Sequence, residues 1–127
     1  MSIPDDLRFT KTHEWVRDNG DGTVTIGITA HAAEQLGDVV YWEGPEEGAQ
    51  MAVGDPLGTV ESVKAVSDVY APLAGEIVEN NAGLEDAPET VNSAPYGDGW
   101  MVRLKLDDAD ALGSLLDAAA YKAAIGA

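Results

Sequence analysis

Turn-forming residues cut this 127-residue chain into short pieces, and pieces of that length restrict it to a mostly β fold. Phe9, Trp15 and Val16 lie in a first extended segment. Asn19-Gly20-Asp21-Gly22 is a strong hairpin turn, and the β-branched run Thr23 to Ile28 suits the returning strand. Thr29 is placed to cap a short helix over 30–36, with Gly37 to end it. Val39-Val40-Tyr41-Trp42 reads as a buried strand, 44–48 as a loop and 54–56 as a turn. Strands are expected at Leu57 to Val63, Val66 to Tyr70 and Glu76 to Glu79, the last after a turn over Pro72 to Gly75. Residues 80–99, rich in Asn, Gly and Pro, leave room for a helical turn near Leu84-Glu85-Asp86. Trp100 to Leu106 alternates as a strand. A closing helix over about 110–125 starts at the capping-box-like Ser114-Leu115-Leu116-Asp117, with Leu112, Leu115, Leu116 and Ala119 on one face. No linker intervenes, so residues 1–127 read as a single domain.

Hydrophobic residues make up 45% of the chain and charged ones 24%, an ordinary globular balance. Without cysteine, neither a disulfide framework nor a thiolate metal site is available, and no metal is expected. Met1 to Asp6 has no basic-then-apolar leader pattern, and no apolar run nears the roughly 18 residues of a membrane span. The expectation is a cytoplasmic protein. Asp and Glu number 23 against 7 Lys and Arg, for a net charge of -16. Such a surface repels nucleic acid and anionic lipid and favours partners with basic faces; mere solubility is the bland alternative.

Between Arg17 and Arg103 the only cation is Lys64. The sequence around it, Val60-Glu61-Ser62-Val63-Lys64-Ala65-Val66-Ser67-Asp68-Val69, is nearly a mirror image about the Lys64-Ala65 bond. An antiparallel hairpin closed by a two-residue loop would set Val63 opposite Val66, Ser62 opposite Ser67, Glu61 opposite Asp68 and Val60 opposite Val69. Lys-Ala is a poor tight-turn pair, and facing Glu61 and Asp68 would cost stability. Local rules broken without compensation point to function, here an amine held out for another enzyme to modify. The residues alone leave a second reading open, a surface hairpin with an ordinary solvated lysine.

The block Gly58 to Pro72, followed by Gly75-Glu76, resembles the lipoate-attachment hairpin of the glycine cleavage H-protein family. Thr12-His13-Glu14-Trp15, Ile26-Gly27-Ile28-Thr29 with Leu36-Gly37-Asp38, and Val91-Asn92, Pro95-Tyr96-Gly97 and Gly99-Trp100-Met101 are similar to further family segments. The likeness runs from about Leu7 to the final helix. Biotin carriers usually place Met on both sides of the lysine, where Val63 and Ala65 stand here. Lipoyl domains of 2-oxoacid dehydrogenases lack the His-Glu-Trp and Pro-Tyr-Gly segments.

The resemblance implies a flattened β-barrel or sandwich of the lipoyl, barrel-sandwich hybrid type, with short flanking helices and a C-terminal helix. It implies lipoate joined to Lys64 as an amide. The arm would carry the aminomethyl group of glycine from the glycine decarboxylase (P protein) to the aminomethyltransferase (T protein). Dihydrolipoamide dehydrogenase (L protein) would reoxidise it. The chain itself would be a non-catalytic, monomeric carrier. Glu61 would aid recognition by the lipoylating enzyme, with Gly75 contributing there or merely setting a turn. Thr12, Glu14, Ile28, His31 and Asp68 become candidates for a cleft that shelters the loaded arm. Their bland readings are surface acids for Glu14 and Asp68, core for Ile28 and an ordinary helical position for His31. Trp42, Gly44 and Asn80 depart from the family pattern and put local geometry over 43–50 and at the strand end in question. Competing functions are a relay that donates lipoate to other enzymes, an interaction module with unmodified Lys64, and an enzyme. The last is weakest, since two histidines and no cysteine offer no nucleophile-and-base set.

Overall fold

The computed structural model describes residues 3–126, so both ends of the domain expected over 1–127 lie outside the described residues. Strands β1 (Arg8–Phe9), β2 (Glu14–Asp18) and β3 (Thr23–Ile28) form an antiparallel meander. Helix α1 (Ala30–Leu36) follows, capped by the Thr29 hydroxyl on the Ala32 amide and ended at Gly37, as its sequence requires. Next come β4 (Val39–Glu43), β5 (Gln50–Met51), β6 (Pro56–Ser62), β7 (Val66–Tyr70) and β8 (Gly75–Asn80). Two single-turn helices, α2 (Gly83–Asp86) and α3 (Thr90–Ser93), precede β9 (Val102–Leu106) and the final helix α4 (Ala118–Ile125).

The strands form two sheets rather than a closed barrel. One has the order β1-β2-β3-β9-β8-β5, the other β4-β6-β7. Their inner faces meet in one apolar core that includes Ile26, Ile28, Trp42, Leu57, Val60, Val69, Ile77 and Leu104. A smaller cluster of Leu7, Phe9, Trp15, Ala118 and Tyr121 fastens α4 to the N-terminal strands, with Phe9 and Tyr121 stacked at 4.7 Å between ring centroids. Among the described residues no helix is long and apolar enough to cross a membrane.

Two local expectations need correction. The β4 strand is not buried throughout. A bulge between Val39 and Tyr41 breaks the pairing with β6, so Val39 and Trp42 point inward while Val40 and Tyr41 are exposed. The C-terminal α-helix is capped by Asp117, whose carboxylate accepts from the Ala120 amide, and does not start at Ser114. Residues 109–114 form a 3-10 turn instead. Leu116 then pairs in extended form with Phe9, each amide donating to the other's carbonyl at 2.8 Å. That bridge engages the backbone groups a continuous helix would have used.

Candidate functional site

Strands β6 and β7 form the hairpin that carries Lys64, but its register differs from the mirror. Glu61 pairs with Val66, Val60 with Ser67 and Thr59 with Asp68. The Ser62 amide donates to the Ala65 carbonyl at 2.8 Å, so the two-residue tip is Val63-Lys64 rather than Lys64-Ala65. The physical reason lies in Ser62. Its hydroxyl accepts from the Ala65 amide at 3.1 Å and from the Lys64 amide at 3.3 Å, the role serine plays at the first position of a turn. The turn needs no glycine, because His13 is the only non-glycine residue with positive φ among those described. Partners shift by two, so Glu61 and Asp68 stay on one face but are diagonal neighbours, not the facing like charges expected. The Val63 amide also donates to the Asp38 carbonyl at 3.0 Å, which braces the tip against the chain entering β4.

Lys64 is exposed and forms no ion pair among the described residues. Its stem passes over Gly37, where a Cβ would come within 3.3 Å of Lys64 Cε. Gly37 has φ +81°, so the residue that ends α1 also clears the lysine's path.

Beside the tip a groove of about 350 Å³ runs between β7, α1 and the start of β2. Ala65, Val66, Ser67 and Asp68 line it from the hairpin, Ala32, Gln35 and Leu36 from α1, and Thr12, His13 and Glu14 from the start of β2; the core residues Ile28, Val60 and Val69 complete the lining. Glu14 is only 2% exposed. The Thr10 and Thr12 hydroxyls both donate to its Oε1, at 2.6 and 2.5 Å. Burial pushes its carboxyl above the usual carboxylate range, opposed by those hydroxyls and by the Tyr70 backbone. Asp68 is exposed and accepts from the Thr59 hydroxyl at 3.3 Å. The groove thus presents polar and apolar surface in similar measure, with one buried and one exposed carboxylate in its lining.

Thr12, Glu14, Ile28 and Asp68 therefore come together in one groove, whereas His31 does not line it. His31 lies behind, its ring 4.9 Å from that of His13, with Nε2 3.1 Å from the Gln35 amide nitrogen. His13 was not singled out in the sequence, yet it shapes the groove. Its φ of +71° turns the chain so that Thr10 and Thr12 both reach Glu14. Its Nδ1 lies 2.8 Å from the Tyr121 hydroxyl, which is 2.7 Å from the Thr29 hydroxyl. Burial first, and the neighbouring His31 second, lower the His13 pKa. No local signal links His13 to Tyr121, since 108 residues separate them.

Glu61 is exposed on the rung next to the turn. Gly75 is not a turn residue. It opens β8 between Met51 and Leu106, and a Cβ there would meet the Lys105 carbonyl oxygen at 2.2 Å. Close backbone approach is what demands glycine. Trp42, Gly44 and Asn80 prove to be neighbours. A Cβ on Gly44 would lie 2.4 Å from Asn80 Oδ1 and 3.1 Å from Trp42 Nε1, and both polar atoms are buried without partners. Asn80 Nδ2 meanwhile donates to the Pro45 carbonyl at 2.5 Å, pinning the loop that follows β4.

A two-sheet β fold that projects an exposed lysine, without an ion pair among the described residues, from a braced hairpin beside a groove containing two carboxylates has the form of a swinging-arm carrier module. The family model "Glycine cleavage H-protein" matches residues 7–126. The glycine cleavage system H protein of Chromohalobacter salexigens is 62% identical over 125 residues, covering 98% of this chain and 95% of that one. Its counterpart from Laribacter hongkongensis is 60% identical, with 98% of both chains covered. The crystal structure of a glycine cleavage system H protein from Mycobacterium marinum superposes with a TM-score of 0.89 at 40% identity, over 98% of this chain and all of that one. The chain belongs to the glycine cleavage H-protein family, and its function is that of the H-protein component of glycine cleavage.

Proposed function

We propose that Lys64 bears lipoate as an amide and that the chain, without catalysing bond chemistry itself, carries the aminomethyl group of glycine between the P, T and L components. The observation that carries this reading is an exposed lysine, free of ion pairs among the described residues, at a braced tip one residue from a groove. When bound, lipoate supplies a dithiolane that takes up and releases the one-carbon amine. The chain's own residues do the rest. Ser62 and the Asp38 carbonyl hold the tip rigid, so the amine is presented in one place. The groove shelters the labile cargo from bulk water. Glu14 and Asp68 hold the cationic amine by charge, with Thr10, Thr12 and His13 setting Glu14's position. Glu61 serves recognition by the lipoylating enzyme. For Gly75 the structural need for close packing accounts for the residue.

The test is glycine-dependent loading of the lipoylated protein by purified glycine decarboxylase. Loading is expected with the parent and absent in Lys64→Ala. A parent that is lipoylated yet never loaded would leave lipoate donation to other enzymes as the function.

A further inference from the structure

We infer that Asn92 is a positioning residue for the lipoyl arm: its amide ties the end of α1 to the start of β4 and so fixes the Lys64 tip against the groove. The inference rests on the carrier reading above and assigns a residue of α3, outside both the hairpin and the groove lining. Asn92 Oδ1 accepts from the Val39 amide at 2.8 Å. Its Nδ2 donates to the Gly37 carbonyl at 2.8 Å and, more weakly, to the Ala33 carbonyl at 3.4 Å. The partners dictate which way the amide points, since a backbone N–H needs the oxygen and the carbonyls need the nitrogen. Carbonyls in the last turn of a helix lack partners within it, so Asn92 closes α1 from outside. Asparagine alone offers one such oxygen and two N–H groups on so short a stem.

What those bonds enclose gives them their function. Gly37 and Val39 are held on either side of Asp38, whose carbonyl accepts from the Val63 amide at the tip at 3.0 Å. Gly37 is also the residue over which the Lys64 stem passes. Helix α1 in turn lends Ala32, Gln35 and Leu36 to the groove. One amide therefore joins a wall of the groove to the root of the arm. Its own seat is firm. Val91 beside it is wholly buried in the core, and Gly99 packs so close to α3 that a Cβ would meet the Thr90 and Ala94 carbonyl oxygens at 2.6 and 2.7 Å. A flexible arm loses rotor entropy when it lies in a groove, and a wandering root adds to that loss. Freeing the tip therefore shortens the time the cargo spends sheltered.

The test pairs amide hydrogen exchange with decay of the aminomethyl-loaded arm, prepared with purified glycine decarboxylase and glycine. Asn92→Ala removes all three bonds. Asn92→Asp is nearly isosteric, keeps the acceptor for Val39 and loses both donors, so it stays readable where Asn92→Ala unfolds. The Val63 amide is expected to exchange about tenfold faster in Asn92→Ala and about threefold faster in Asn92→Asp, with amides of the larger sheet within about twofold of the parent. The loaded arm is expected to decay about fivefold faster in Asn92→Ala and by a smaller factor in Asn92→Asp. Asn81 is the matched control. Just beyond β8 it accepts from the Gly83 amide and donates to the Asp98 and Trp100 carbonyls, an equal set of bonds with no link to the tip. Asn81→Ala is expected to match the parent in Val63 exchange and arm decay. Val63 exchange unchanged in both Asn92 variants would overturn the proposal, as would unchanged arm decay in both or an equal acceleration in Asn81→Ala. A lipoylated parent that is never loaded would instead overturn the carrier reading, with Val63 exchange still reporting on the tip.

Discussion

At the scale of single residues the groove places unequal demands on its two carboxylates. Asp68 stays in water, whereas Glu14 has been taken almost wholly out of it, and only two threonine hydroxyls and the backbone of Tyr70 and of Glu14 itself offset the cost. A carboxyl whose folded value is raised above its unfolded value near 4.5 binds protons on folding between those two pH values. Stability therefore falls as pH rises through that window, and at neutral pH the charged Glu14 weighs against folding. Glu14→Gln is expected to melt a few degrees higher than the parent at neutral pH, with the difference closing as pH falls to the unfolded value. The same variant is expected to hold a cationic cargo less well, a trade of stability for binding. Thermal melts across pH check the first half, and the decay rate of the loaded arm the second. Lys64 was legible at this scale because no other basic residue lies between Arg17 and Arg103 and a near-mirror surrounds it. His13 and Tyr121 were not, since nothing in either neighbourhood marks a contact across 108 residues.

At the scale of elements, two glycines show how sequence reading and packing part company. Gly75 was read as a possible turn former or recognition residue, but it is a strand residue pressed against the Lys105 carbonyl. Backbone cannot step aside as a side chain can, so Gly75→Ala is expected to destabilise by about 2–3 kcal/mol. Any loss of lipoylation in it should then track the unfolded fraction and recover at lower temperature. Gly44 meets the end of a side chain instead. Gly44→Ala is expected to cost about 1–2 kcal/mol in the parent and much less alongside Asn80→Ala, a coupling that chemical denaturation of the four proteins measures. Strand identities were readable from alternation and turn residues. The hairpin register was not, because a serine side chain closes the turn and moves every pairing by two. The bulge in β4 was hidden for the same kind of reason: one extra residue turned out a valine and a tyrosine that hydropathy alone assigns to the core.

At the scale of the whole molecule, a net charge of -16 on 127 residues sets how partners arrive. Long-range attraction acts mainly on encounter and is screened by salt. The association rate constant with each partner enzyme is expected to fall about tenfold as ionic strength rises from about 0.05 to 0.5 M, with a smaller change in dissociation, as stopped-flow mixing would show. The two-sheet layout was legible in the chain's short elements, but which strands share a sheet was not. β1 and β5 lie at opposite edges of the larger sheet, and nothing local states that order. The division matters because the hairpin supplies two of the three strands of the smaller sheet, which rests on the core it shares with the larger one. Everything proposed for this molecule converges on the amine at that hairpin's tip. Intact mass measurement of protein made in a lipoate-competent host tests it most directly. The parent should carry a single lipoyl increment and Lys64→Ala, equally stable, should carry none; an unmodified parent, or an increment that survives the substitution, would contradict the account.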